Sequence, residues 1–264
     1  MKNFFKRNFL EIQKDDYDIS VKKAWLAILF VIVLFFASEI IAGFIVLIYP
    51  ILRGFNSLQT TNWLQRSIIG QFFYIFLTEV IVVGAIFLYL KRRKISLKFL
   101  GLKRFQMIDL FYALLLVPFF YTSYILIVDL AVKLNSGLNV TQKQHIGFNS
   151  SIVHGPEYLI LTFISLVILP PIAEEIMFRG FLFGNLRKIV PLFPAIILTS
   201  ILFALPHLFE GGKSGLLWIA AIDTFILSIF LIILRLKTKR IYASIFLHSI
   251  NNLLAFVAIY LVKY

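Results

Sequence analysis

The 264-residue sequence contains no cysteine, which excludes a disulfide framework, a thiolate nucleophile and a cysteine-bound zinc site. Charge is scarce too: Asp, Glu, Lys and Arg together make up 15% of the residues, against 60% apolar residues that include 29 Phe. A water-soluble domain could not hide that much apolar surface. Acids are scarcer than bases, 13 against 26, for a formal net charge of +13. Such a balance could suit nucleic acid, but the bases lie in short connections between apolar blocks rather than on one surface, so no nucleic-acid partner is expected. Repeats and low-complexity segments are missing as well.

What the chain does have is apolar blocks of about 20 residues or more, the length of a helix that crosses the hydrocarbon core. Runs bounded by charge, Gly or Pro place spans near Ala24 to Ile48, Ile68 to Leu90, Ile108 to Val132, Tyr158 to Leu186, Pro194 to His207, Leu216 to Leu234 and Ile241 to Val262. The expected fold is therefore all-α, a polytopic helical bundle of about seven spans in one membrane domain covering 24–264. Lys and Arg alternate between rich and poor connections, with the run Lys91, Arg92, Arg93 and Lys94 the strongest cluster. By the positive-inside rule the N-terminus is cytoplasmic and the C-terminus external. Residues 1–23 lack the layout of a cleaved signal peptide, so the first block is expected to be a retained span. Phe5, Phe9 and Ile12 in that leader fall at helical spacing, which suits either an interfacial helix on lipid or a plain solvated leader. The longest polar stretch, Lys133 to Glu157, is expected outside, with His145 and His154 as solvated loop residues.

Ionisable groups inside spans are costly and are functional candidates by default. Glu174, Glu175 and Arg179 lie inside the fourth span, in Pro170-Pro171-Ile172-Ala173-Glu174-Glu175-Ile176-Met177-Phe178-Arg179-Gly180. Glu175 and Arg179, four apart, share one helix face and can neutralise each other. Glu174 then remains as the unpaired carboxylate, although both acids could instead only lock helices together. Phe203 and His207 form a second cluster. His248 and Asn252, one turn apart, form a third; the adjacent Asn251 and Asn252 could also simply hold helices together. In an antiparallel hairpin about the turn at 188–191, Glu174 and His207 come level at roughly 20 Å depth. His248 counts out shallower, at roughly 10 to 13 Å, so the helices must be staggered. A buried carboxylate, two imidazoles and a carboxamide can hydrolyse an amide: Glu174 takes the proton of water, His207 orients that water, and His248 with Asn252 donates to the developing oxyanion. Glu174, His207 and His248 could equally bind one divalent metal, zinc foremost, with an open position for water. The cofactor is thus either none or one such ion.

The three motifs, Glu174-Glu175-x-x-x-Arg179, Phe203-x-x-x-His207 and His248-x-x-x-Asn252, resemble in order those of the CaaX protease and bacteriocin-processing family, also called the Abi family. The likeness covers roughly Leu159 to Phe256, and the protease-like core is placed at about 158–262; the first three spans carry no family signature. The resemblance implies an intramembrane endopeptidase similar to the type II CaaX prenyl endopeptidase. In it the first glutamate and middle histidine activate water, and the last histidine and asparagine form the oxyanion site. Those roles fall on Glu174, His207, His248 and Asn252, with Glu175 and Arg179 in support. The penultimate span departs from the family's small, glycine-rich packing, having Ser228 and Phe230 there.

A membrane-embedded peptide or protein is then the expected substrate and the lipid bilayer the surroundings, with a bacterial plasma membrane the expected location. A second reading is a non-catalytic partner, such as a bacteriocin self-immunity protein or a membrane scaffold. A third is a transporter with a proton relay through Glu39, Glu79, Asp129 and Asp223, though no paired, interrupted halves accompany these acids. Those acids could instead fasten helices, with Asp223 a partner for a histidine.

Overall fold

The computed structural model describes residues 21–135, 138–142, 144 and 148–262. The leader's Phe5, Phe9 and Ile12 and the loop residue His145 lie outside them. Seven helices are long and apolar enough to cross a membrane, and no strand occurs among the described residues. The chain is an integral, multi-pass membrane protein.

In chain order the helices are α1 (Val21–Leu52), α2 (Ser57–Arg66), α3 (Ile68–Arg92) and α4 (Met107–Leu134). They continue with α5 (Pro156–Leu186), α6 (Leu192–Phe209), α7 (Trp218–Thr238) and α8 (Tyr242–Leu261). Span positions agree with the sequence reading to within about four residues. The short α2 was not expected. Asn56 caps it by accepting from the Gln59 amide while the Gln59 side chain accepts from Asn56 N–H, a reciprocal box that satisfies two free helix-end donors.

Bilayer-facing residues remain apolar: Phe44, Ile125, Leu126 and Ile160 are all exposed, as lipid contact allows. Two cores lie inside. One joins α1, α3, the 97–100 turn, α5 and α6 through Ile86, Leu100, Leu182 and Phe203. The other joins α4, α7 and α8 through Phe120, Leu231 and Leu247. In the penultimate span, Ser228 is fully buried, Phe230 meets Phe120 edge-on at 6.0 Å, and Ser244 of α8 donates to the Leu231 carbonyl at 2.9 Å. Aromatic packing and a hydroxyl bridge thus do there what small residues would otherwise do.

The 93–106 connection braces the end of the bundle that carries the α7–α8 turn. Arg240 Nε donates to both oxygens of the fully buried Asp109, at 2.9 and 2.8 Å, and Tyr242 Oη donates to the Lys103 carbonyl at 2.8 Å. Leu100 presses on Gly180 so closely that a Cβ there would lie 3.2 Å from its side chain and carbonyl. A side chain at Gly180 would force Leu100 to give way by a few tenths of an ångström.

α5 is not a regular helix. It widens to i→i+5 turns over Ile164–Ile168 and again over Glu175–Leu182, the kind of insertion that concentrates at functional sites. Pro170 and Pro171 lie between the two wide stretches and remove two backbone donors from the ladder. Wide turns advance less per residue than α turns, so Glu174 lies nearer the 187–191 connection than 1.5 Å per residue implies. That narrows the offset from His248 which the sequence reading required.

Candidate active site

The second wide stretch of α5 starts at Glu175. Arg179 Nη1 donates to Glu175 Oε1 at 2.8 Å, and both side chains are completely buried. The four-residue spacing therefore brings the two together as expected. The sequence reading missed a third member. His248 Nδ1 lies 3.1 Å from the same Glu175 oxygen, across 73 positions of sequence, so one carboxylate holds both an arginine and a histidine. The Arg179 guanidinium also stands 4.0 Å over the Phe203 ring, a cation–π contact that shares its charge with an aromatic face. Phe203 in turn packs edge-on against His207 and His248, at 5.6 and 5.7 Å. The Phe203-x-x-x-His207 motif thus supplies one ring that packs against the guanidinium and both imidazoles.

With Nδ1 held by Glu175, the His248 ring directs Nε2 toward Glu174, whose Oε2 is 3.8 Å away. That Glu174 oxygen is buried and makes no hydrogen bond. His207 is anchored in the same way by a different acid: its Nδ1 lies 2.8 Å from Glu210 Oε1. Glu210, just past the end of α6, also accepts from the Gln144 side chain. Burial works to raise the Glu210 carboxyl, but the hydrogen bonds from His207 and Gln144 and the charge of His207 hold it below its ordinary value. The spacing is local, since Glu210 follows His207 by three residues, but it falls just beyond the apolar span.

Asn252 is placed by the prolines. Pro170 and Pro171 have no N–H to give the Leu166 carbonyl, and Asn252 Nδ2 donates to that oxygen at 2.9 Å. The second N–H of the amide stays available. Asn251 accepts from Tyr121 Oη at 2.8 Å and stands beside Asp223.

A cavity of about 320 Å³ joins these groups: Glu174, His207, His248, Asn252, Asn251 and Asp223 all line it. Its size is that of a small ligand site. The structure thus gathers Glu174, His207, His248 and Asn252 around one space and puts Glu175 and Arg179 behind it. Of the remaining intramembrane acids, Asp129 pairs with Lys133 on an exposed face, and Glu39 lines a separate apolar groove beside Phe35 and Phe209. His154 is exposed, as expected of a loop residue.

Residues 156–254 match the family model described as type II CAAX prenyl endopeptidase Rce1-like. The match falls on the segment that carries the three motifs and agrees with the family they resemble. This Rce1-like segment runs from the first residue of α5 into α8 and contains every cavity-lining group named above. It carries with it the general expectation of peptidase activity in a membrane. No curated protein and no solved structure matches the chain.

The donor set also bears on a metal. Among the described residues no three His, Asp or Glu side chains stand together as a metal-holding group. The Nδ1 atoms of His207 and His248 are occupied by Glu210 and Glu175, and only Glu174 and the two Nε2 atoms are left. The trio Glu174, His207 and His248 does not close around one ion in this arrangement.

Proposed function

We propose that this protein is an intramembrane endopeptidase that hydrolyses a peptide bond of a membrane-embedded peptide or protein with water activated by Glu174. The observation that supports this most is the convergence of Glu174, His207, His248 and Asn252 on one cavity, inside a segment that matches an endopeptidase family. Water bound between Glu174 and His207 loses a proton to the unpartnered Glu174 carboxylate as its oxygen attacks the scissile carbonyl carbon. His207, its ring fixed through Nδ1 by Glu210, orients that water from Nε2. The carbonyl oxygen takes up the electron pair and becomes an oxyanion. His248, doubly protonated with Nδ1–H on Glu175 and Nε2–H turned to the reaction, and the free N–H of Asn252 donate to it from within the bundle, where such bonds are stronger than in water. Collapse of the intermediate breaks the C–N bond, and Glu174 returns its proton to the leaving amine. Glu175 acts through His248, holding the ring so that Nε2 faces the reaction.

The bundle's cytoplasmic end is read as the one bearing Lys91 to Lys94 and the α7–α8 turn, in keeping with the distribution of Lys and Arg. The test of the reaction is a comparison of membrane peptides from cells carrying the wild-type chain and Glu174→Gln, with hydrolysis by both purified proteins. The Gln variant should insert and fold normally and cleave nothing. Turnover at the wild-type rate by that variant would remove Glu174 from the mechanism.

A further inference from the structure

Asp223 belongs to none of the steps above, yet its carboxylate lines the same cavity from α7. Charges around the site are matched unevenly. Behind the cavity, Glu175 is shared by Arg179 and His248, and Glu210 is taken by His207. Inside it, two carboxylates remain, Glu174 and Asp223, and the described residues of the lining include neither Lys nor Arg. Glu174 Oε2 is spoken for by the attacking water. Asp223 feels the charges of His207 and His248 across the cavity, but both imidazoles are already bound through Nδ1 to Glu210 and Glu175; the Asn251 amide beside it is fixed by Tyr121 from α4. Tyr121, Asn251 and Asp223 thus come together from three helices, with Asn251 and Asp223 at a wall of the cavity. Glu174, Glu175, Glu210 and Asp223 share one guanidinium and two imidazoles; a carboxylate in excess of its counter-charges at membrane depth is costly, and a cation brought in by the substrate would remove that cost.

We infer that Asp223 forms a substrate subsite that accepts a basic side chain, Lys or Arg, close to the bond being cleaved. Cleavage beside this subsite rests on the endopeptidase reading, whereas binding to it rests on cavity geometry and charge. About 320 Å³ has room for one such side chain beside a strand of backbone. The carboxylate lies in the same cavity as Glu174, so a cation on Asp223 would fix the register of the chain against the base. Substrates with an acidic residue at that position would be repelled.

The test uses the full-length protein in detergent and a Leu/Ala-rich transmembrane peptide with a quenched fluorophore pair. Lys, norleucine or Glu is placed in turn at each of its central positions. Hydrolysis is followed with wild-type protein, and binding with Glu174→Gln. At the favoured position Lys should exceed norleucine by about tenfold or more in both readouts, as close charge pairs in desolvated sites do, and Glu should be worst. Asp223→Asn should bring the Lys-to-norleucine ratio close to one, and Asp223→Glu should keep it; the ratio, rather than the rate, is what is read. A wild-type ratio near one at every position, or a ratio that survives Asp223→Asn, overturns the subsite, and the wild-type series alone can do so if the variant does not fold. Binding that prefers Lys through Asp223 without any hydrolysis by the wild type would uphold the subsite and defeat the protease reading. Hydrolysis that depends on Glu174 without preference for Lys would do the reverse.

Discussion

Replacing Glu175 by Gln removes one charge from a group of three. Glu175 Oε1 accepts from Arg179 at 2.8 Å and lies 3.1 Å from His248 Nδ1, and neither Glu175 nor Arg179 has any exposed surface. The amide oxygen can still accept from one of them, but the Arg179 charge is left without a counter-charge in a dry site. Breaking a buried pair from one side costs about 3 to 5 kcal/mol, which for a chain of this size is on the order of 10 °C in Tm. Arg179→Met alone should also destabilise, by leaving Glu175 with only His248. The double variant Glu175→Gln with Arg179→Met removes both charges and should recover most of the lost stability. It should not recover activity, because His248 has still lost the carboxylate that aims its Nε2. Thermal unfolding of the four proteins in one detergent closes the double-mutant cycle, and peptide hydrolysis on the same samples separates packing from chemistry. A Glu175→Gln protein as stable as wild type would refute the buried ion pair, and a fully active double variant would refute the role of Glu175 in orienting His248.

The Glu210 carboxyl, held below its ordinary value by His207 and Gln144, stabilises the folded protein above the unfolded carboxylate pKa of about 4.3. It loses that contribution as pH falls through its lower folded value. Glu210→Gln should therefore flatten the acid limb of a stability-against-pH curve, and an unchanged limb would show that the pair contributes nothing. Because Glu174, His207 and His248 do not form a three-donor group, hydrolysis by purified protein should withstand prolonged treatment with a strong zinc chelator, with metal content assayed on the same sample; loss of activity restored by stoichiometric zinc would defeat the proposed mechanism. A cysteine substituted at the exposed Lys94 or Lys237 should be labelled only in permeabilised cells, and one at the exposed Asn149 in intact cells. The opposite pattern would invert the topology.

The local features were the legible ones. Seven spans could be read because a bilayer demands about 20 apolar residues per crossing whatever the neighbours are. Glu175 and Arg179 could be paired because four residues along a helix return to the same face. The box at Asn56 and Gln59 and the approach of Glu210 to His207 are equally local, but hydropathy does not mark them, because α2 is polar beside the spans and Glu210 lies just past the end of one.

By itself, then, the sequence determined the all-helical membrane fold and nominated the polar residues inside it, since burying charge in lipid is too costly to be incidental. It could not say which acid serves which histidine. Glu175 meets His248 across 73 positions, and Asn252 meets Leu166 across 86. Those contacts depend on how α5 and α8 pack and on how far the wide turns and the two prolines rotate α5. Periodicity along one helix carries no information about the rotation of its neighbour. Only the packed bundle decided that Glu175 and Glu210 stand behind the imidazoles while Glu174 and Asp223 face the cavity.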